Sequence, residues 1–186
     1  MFYLRKRFNN FTPMYDLTVL EDIQQELDKQ HTLQAQKEFE LAIEGFNRIK
    51  NLLNQRDDLL LSKQEDGLFT EFWTKAFENF GVNEEILPYI DSKLDLSWLK
   101  SFKVEYRKEY ICCIKIELFP NEYVENEYLE KKMGANEIES TKVIWKNNDK
   151  CIFFQFFDTD DDDWEVFDFM YEVYRDAYYW YSLESE

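Results

Sequence analysis

The stretch TVLEDIQQELDKQHTLQAQKEFELAIEGFNRIKNLLNQRDDLLLSK, residues 18–63, decides the fold. It contains no proline and a single glycine, Gly45, in an otherwise helix-favouring composition. Thr18-Val-Leu-Glu21 has the spacing of a capping box, in which hydroxyl and carboxylate each satisfy an orphan N–H. Glu21 and Asp22 suit the positive end of the helix dipole. At 1.5 Å per residue the stretch predicts a helix roughly 65 Å long, far beyond the usual three or four turns.

A helix of that length in a small protein has more surface than its own domain covers. Leu20, Ile23 and Leu27 are spaced three and four apart, and Phe39, Ala42, Phe46, Ile49 and Leu53 continue the alternation. That is a coiled-coil seam. Between the two runs the phase moves through His31 and Ala35 in steps of four, a stutter. The seam predicts homodimerisation through this helix.

Outward from it, Phe69, Phe72, Trp73, Ala76, Phe77 and Phe80 predict a second amphipathic helix ending at Gly81. A third short helix is expected near Asn83, with Glu84 and Glu85 in its first turn and Ile86, Leu87 and Ile90 buried. The period then drops to two. Phe102, Val104 and Tyr106 alternate with charged residues, as do Cys112, Ile114, Ile116 and Leu118 with Cys113, Lys115, Glu117 and Phe119. These predict two adjacent antiparallel strands. Weaker strand character follows at 128–133 and 141–145. Ile152, Phe153, Phe156 and Phe157 predict a short helix, and a final helix runs from Trp164 to about Tyr181. Helices, then sheet, then helices make an α+β domain behind a long helix.

Composition narrows the function. The chain has 186 residues, and 22 basic against 39 acidic side chains give a net charge of −17. Direct nucleic-acid binding is disfavoured, because phosphate contacts need clustered Lys and Arg. An anionic membrane surface is disfavoured too, and no stretch approaches the roughly 20 apolar residues of a span. A basic partner suits such a chain. Aromatic residues reach 18%, so large rings are expected to build the core. Residues 1–16, with Arg5-Lys6-Arg7, are a basic tail rather than a secretory signal. The odd cysteine count (Cys112, Cys113, Cys151) argues against a disulfide framework. Adjacent on a strand, Cys112 and Cys113 are expected on opposite faces, one in the core and one at the surface. His31 is the only histidine, and glycine-rich phosphate loops are missing, so no catalytic residue, metal or cofactor is expected.

One polar cluster invites chemistry: Asp158-Thr-Asp160-Asp161-Asp162-Asp163. As a calcium loop it fails, with Asp163 where glycine belongs and Phe169 where the closing glutamate belongs. As a metal-dependent hydrolase site it resembles the paired aspartates of haloacid-dehalogenase-like phosphatases, without their following residues or parallel sheet. As a hydrated acidic loop it suits a basic protein. From Phe153 to Glu186 eleven acids face one Arg, Arg175, a balance of −10. Rings such as Phe154, Trp164 and Tyr178 are interleaved among them. Acids beside exposed rings attract Lys- and Arg-rich surfaces.

The order of features resembles the nucleosome assembly protein and SET family of histone chaperones. The resemblance rests on Phe72-Trp73 with Phe77, on Leu118-Phe-Pro-Asn-Glu-Tyr-Val-Glu-Asn126 followed by Leu129 and Lys131, on Ile144-Trp-Lys146, and on Phe153-Phe-Gln-Phe-Phe157 before the acids. It spans roughly residues 17–181, with spacing closer to the SET branch. It implies a long dimerisation helix (17–65), an α/β earmuff domain (66–183) and a short acidic end (184–186). It further implies an ATP-independent, non-enzymatic chaperone of the nucleus or cytoplasm that binds core histones in chromatin assembly, without cofactor, membrane or direct nucleic-acid contact. The acids that fall in matching places are Glu105 and Glu109 by the first strand, and Glu122, Glu125 and Glu127 after the second. With them go Asp158, Asp160, Asp161, Asp162, Asp163 and Glu165. An acidic dimeric scaffold or inhibitor for another basic protein is the alternative. Relatives often carry a longer insertion between Lys146 and Phe153, a proline in the last helix and a long acidic tail; these are absent or nearly so here.

Overall fold

The computed structural model describes residues 14–84, 96–134, 138–148, 150–160 and 164–183. Helix α1 runs Met14–Glu65, 52 residues without interruption. It begins a turn before the expected capping box, so Thr18 lies inside the helix. Its end is a Schellman motif. Gly67 takes φ 76°, Gly67 N donates to Gln64 O at 2.9 Å and Leu68 N to Lys63 O at 2.8 Å.

Helix α2 spans Phe72–Glu84 and passes through Gly81 instead of ending there. A helical glycine costs about 1 kcal/mol, less than the burial of Phe72, Trp73, Ala76, Phe77 and Phe80 contributes. Phe69 precedes it with a left-handed φ of 56°. Asn83 and Glu84, expected to open a third helix, are instead the last residues of α2; the rest of that expected helix lies outside the described residues.

Strands β1 (Leu99–Arg107), β2 (Ile111–Leu118), β3 (Tyr128–Met133) and β4 (Ile138–Ser140) form an antiparallel sheet in sequence order. The fourth strand is therefore not at 141–145. That segment is extended, and contributes only a bridge from Trp145 to Val124. Helices α3 (Ile152–Asp158), α4 (Trp164–Arg175) and α5 (Ala177–Ser182) follow, the predicted last helix being broken at Asp176.

Pairing of Phe102 with Ile116, Val104 with Ile114 and Tyr106 with Cys112 puts these side chains on one face, joined by Leu129 and Met133. That face and the helices enclose a core of rings. Trp73 and Phe77 meet Phe102 at 5.3 and 5.2 Å, Phe80 meets Trp180 at 5.0 Å, and Trp98 meets Phe154 at 4.6 Å. Edge-on pairs predominate among the rings, the arrangement their quadrupoles favour. Phe154 is fully buried here, whereas Tyr178 is 70% exposed.

Contacts divide the chain into two units, 1–41 and 42–186. In the second, the C-terminal part of α1 belongs to the domain core. Phe46 and Leu53 are buried within the single chain, Phe46 edge-on to Tyr106 and Tyr171. Asp57 is buried, accepting from Tyr174 Oη at 2.7 Å and pairing with Arg56 at 2.8 Å and Lys103 at 3.7 Å. These contacts cover the edge strand β1, the usual protection of an unpaired ladder. In the first unit, Leu20, Ile23 and Leu27 stay exposed, as do His31 and Ala35. Thus the seam divides: its Phe46 and Leu53 positions are taken by the chain's own domain, and its N-terminal positions are open. Among the described residues no helix is long and apolar enough to cross a membrane.

Candidate acidic binding surface

The sheet's second face is a lattice of ion pairs. Glu105, on β1, accepts from Lys115 Nζ at 2.9 Å and Arg107 Nη2 at 3.2 Å, with Lys50 Nζ of α1 at 3.5 Å. Burial pushes its pKa up, but the Lys115 hydrogen bond, the charges of Lys115 and Lys50 and the Arg107 hydrogen bond outweigh it and lower the carboxyl to about 2. Arg107 also reaches Glu130 at 3.2 Å, and Lys132 pairs with Glu139 at 2.8 Å. Beneath this lattice Cys113 is as buried as Cys112, so the expected surface cysteine does not exist. Its thiol donates to Glu130 Oε1 at 2.9 Å; burial first, then that bond, pushes its pKa to about 12. Glu105 is thus a member of an internal network rather than a free acid.

Glu109 lies in the turn joining β1 to β2, exposed, with φ 65°, and Tyr110 follows with φ 59°. Two left-handed residues in succession match the twist of a primed hairpin turn.

Three further acids lie at the opposite end of that hairpin. Glu122, Glu125 and Glu127 are exposed on the loop from β2 to β3. The loop is held by side-chain amides. Asn121 Oδ1 accepts from Tyr123 N and Val124 N, both at 2.9 Å, and Asn126 Oδ1 accepts from Ile144 N at 2.7 Å. Glu125 N donates to Ile144 O and Lys146 N to Tyr123 O, zipping the loop to 144–146. This explains the extended but unsheeted conformation there: its backbone groups serve the loop.

Trp145 links that loop to the end of α3. Its Nε1 donates to Asp158 Oδ2 at 3.0 Å, and Lys150 Nζ lies 3.5 Å from the same oxygen. The last carbonyls of a helix lack helical partners. At the end of α3, Lys131 of β3, paired with Ile114 and so pointing into the core, supplies donors: its Nζ reaches Phe156 O at 2.8 Å, Thr159 O at 3.0 Å and Thr159 Oγ1 at 3.2 Å. Ser140 Oγ of β4 donates to Phe157 O. A cation at a helix C-terminus is favoured by the dipole, and this one fixes where the chain leaves α3. Asp160 is then exposed, and Glu165 is exposed in the first turn of α4. Asp161, Asp162 and Asp163 lie outside the described residues.

The structure therefore brings Glu122, Glu125, Glu127 and, through Trp145, Asp158 to one end of the sheet and leaves Glu109 at the other. In the sequence Lys131 stands only as part of a motif. Its role shows itself in the strand register, which turns a Lys between Glu130 and Lys132 toward the apolar face.

No family model matches the chain. Solved structures that share the fold include three nucleosome assembly proteins. Nucleosome assembly protein S of Plasmodium falciparum superposes with a TM-score of 0.53 at 18% identity, over 89% of this chain and 99% of that one. Nucleosome assembly protein 1 of Plasmodium knowlesi gives 0.52 at 17%, over 90% and 94%. A further Plasmodium falciparum nucleosome assembly protein gives 0.50 at 19%, over 90% and 96%. The architecture is accordingly the nucleosome-assembly-protein fold, a long helix followed by an earmuff domain. Closer in sequence is an uncharacterized protein of Encephalitozoon cuniculi, 30% identical over 170 residues, which are 90% of this chain and 93% of that protein. The chain belongs to the same family as that protein.

Proposed function

We propose that the protein is an ATP-independent histone chaperone, acting as a homodimer of the SET type in the nucleus or cytoplasm. The observation that carries the reading is a group of exposed carboxylates, Glu122, Glu125 and Glu127, set on a hydrogen-bonded frame within a nucleosome-assembly fold. Core histones hold DNA through Arg side chains and phosphate contacts. Acids presented on a rigid surface compete for the same side chains, shield the free histones and yield them when DNA offers more contacts. No bond is made or broken, so the reading assigns no catalytic group, metal or cofactor. Asp161, Asp162, Asp163 and Glu165 extend the surface in this reading, and Glu109 forms a separate contact.

The test is binding of each core-histone pair, measured separately across a salt series. Exposed charge pairs contribute about 0.2–1 kcal/mol each, so Glu122→Gln, Glu125→Gln and Glu127→Gln together should weaken binding about tenfold at low salt and less at high salt. An unchanged affinity in a folded triple variant would reject these residues. Absence of histone binding by a folded dimer, with capture of a different basic protein, would favour the scaffold alternative.

A further inference from the structure

The seam positions Phe46 and Leu53 are covered by the chain's own domain, but α1 carries a second seam on its outer side. Alternate steps of four and three lead from Leu20 to Leu59, and every position on the way is exposed. That is an unbroken heptad spacing. Leu27, Leu41 and Leu52 stand on it, and Leu41, Leu52 and Leu59 are 66%, 66% and 56% exposed. Gly45 stands among them, with open space where a side chain would be. The steps read the same from either end, as a two-fold pairing of identical helices requires.

Two copies can meet along this seam in two directions. A parallel pair stacks Glu38 on Glu38 and Arg48 on Arg48. An antiparallel pair avoids both: Leu20 meets Leu59, Leu27 meets Leu52, Gln34 meets Gly45, and Lys37 flanks Glu44. In that register Met14, the first residue of α1, lies opposite Glu65, the last, so the two helices end flush. The start of one helix therefore comes to the corner where the second copy turns from α1 into α2.

That corner is apolar and open. Leu68 is 54% exposed and Phe69 39%. Phe69 sets its ring against Phe72 and Tyr181, at 6.3 and 6.0 Å, from a left-handed φ of 56° that bulky residues rarely adopt. Exposed acids rim it: Glu65, Asp66 and Glu71, of which Asp66 lies 3.2 Å from Lys63 and Glu71 3.7 Å from Lys75. The sequence before α1 has the complementary chemistry. Residues 1–13 read MFYLRKRFNNFTP, with Phe2, Tyr3, Leu4 and Phe8 around Arg5-Lys6-Arg7 and no acid. No chain can lay this segment on its own corner. Thirteen residues reach at most about 45 Å, and the 52-residue α1 is about 78 Å long.

We propose that residues 1–13 of one copy clasp the α1–α2 corner of the second. The apolar side chains of the segment cover Leu68 and Phe69, and its three cations meet Glu65, Asp66 and Glu71. Each dimer has two such clasps, one at either end of the paired helices. The clasp rests on the homodimer part of the functional reading and adds a contact to it; histone binding has no share in it.

Two variants of the full chain test it. One carries Arg5→Glu, Lys6→Glu and Arg7→Glu; the other carries Glu65→Lys, Asp66→Lys and Glu71→Lys, all at exposed positions where the core is untouched. The dimer dissociation constant of each is measured by fluorescence-detected sedimentation at low salt. Each variant should dimerise about tenfold or more weakly than the parent, since exposed charge pairs are lost at both ends of the dimer. Mixed together, the two variants should form a heterodimer of near-parent affinity, because each acidic segment then meets a basic corner and each basic segment an acidic one. Unchanged dissociation constants, or a mixture no tighter than the separate variants, would overturn the clasp and leave the dimer standing. A monomeric parent would overturn the homodimer and the clasp together. Binding of a core-histone pair by the parent, measured alongside, reports on the chaperone reading separately.

Discussion

At Lys131 a charged side chain is fully buried because three oxygens surround its ammonium and the Phe156 ring lies 4.4 Å away. The cost of desolvating such a charge is offset only by that degree of satisfaction. Glu105 shows the same balance at a half-buried site. Its folded pKa lies below the usual carboxylate value, so its contribution to stability is fully present above the unfolded value of about 4.3 and is lost as pH falls through about 2. Glu105→Gln should lower stability by about 1–2 kcal/mol at neutral pH, discounted for partial exposure. Urea midpoints of the variant and the parent should converge between pH 4.5 and 2, and an equal gap at the lower end would show that packing rather than charge is responsible. That Glu105 serves the fold was illegible in sequence, where it counted as one more acid; its partners come from β2 and from α1.

Among the elements, α1 shows most clearly what a one-dimensional pattern conveys. Its helical nature and length follow from composition, and the strand pair 99–107 and 111–118 from the alternation of rings and charges. The seam was legible as apolar spacing, but spacing is blind to which surface meets it. Phe46 and Leu53 have a partner within the chain, whereas Leu20, Ile23 and Leu27 are 60%, 51% and 47% exposed. Apolar side chains repeated along one helix face at such exposure suit a second copy of the same helix. Leu20→Glu with Ile23→Glu and Leu27→Glu should therefore give a folded monomer in sedimentation, with a melting temperature close to that of the 42–186 unit. Phe46→Glu, by contrast, should unfold that unit, since it removes a ring from beside Tyr106 and Tyr171 and buries a charge there. A dimeric triple variant would move the interface elsewhere. The same blindness explains Cys113: alternation assigned it or Cys112 to solvent, but cross-strand Glu130 and Arg107 roof it over.

For the whole molecule, the charge of −17 sets long-range attraction, while the placement of individual acids decides what is gripped. Part of the acidity is used internally: Glu105, Glu130, Glu139 and Asp57 are each held by a Lys or Arg. Of the acids that remain exposed, many line α1 and one cluster lies on the β2–β3 loop. In the proposed dimer that cluster occurs twice, and two linked sites bind more tightly than one by the effective concentration of the second. The 42–186 unit has its own core, and a protein truncated to those residues is expected to fold. It should be monomeric, with the pH-dependent stability of the parent intact. Its affinity for a single core-histone pair should fall within about threefold of the parent's, while its grip on a two-copy histone assembly should weaken by about a hundredfold or more. Equal loss toward both would place histone contacts on residues 1–41 themselves, and no loss toward either would remove bivalency from the mechanism.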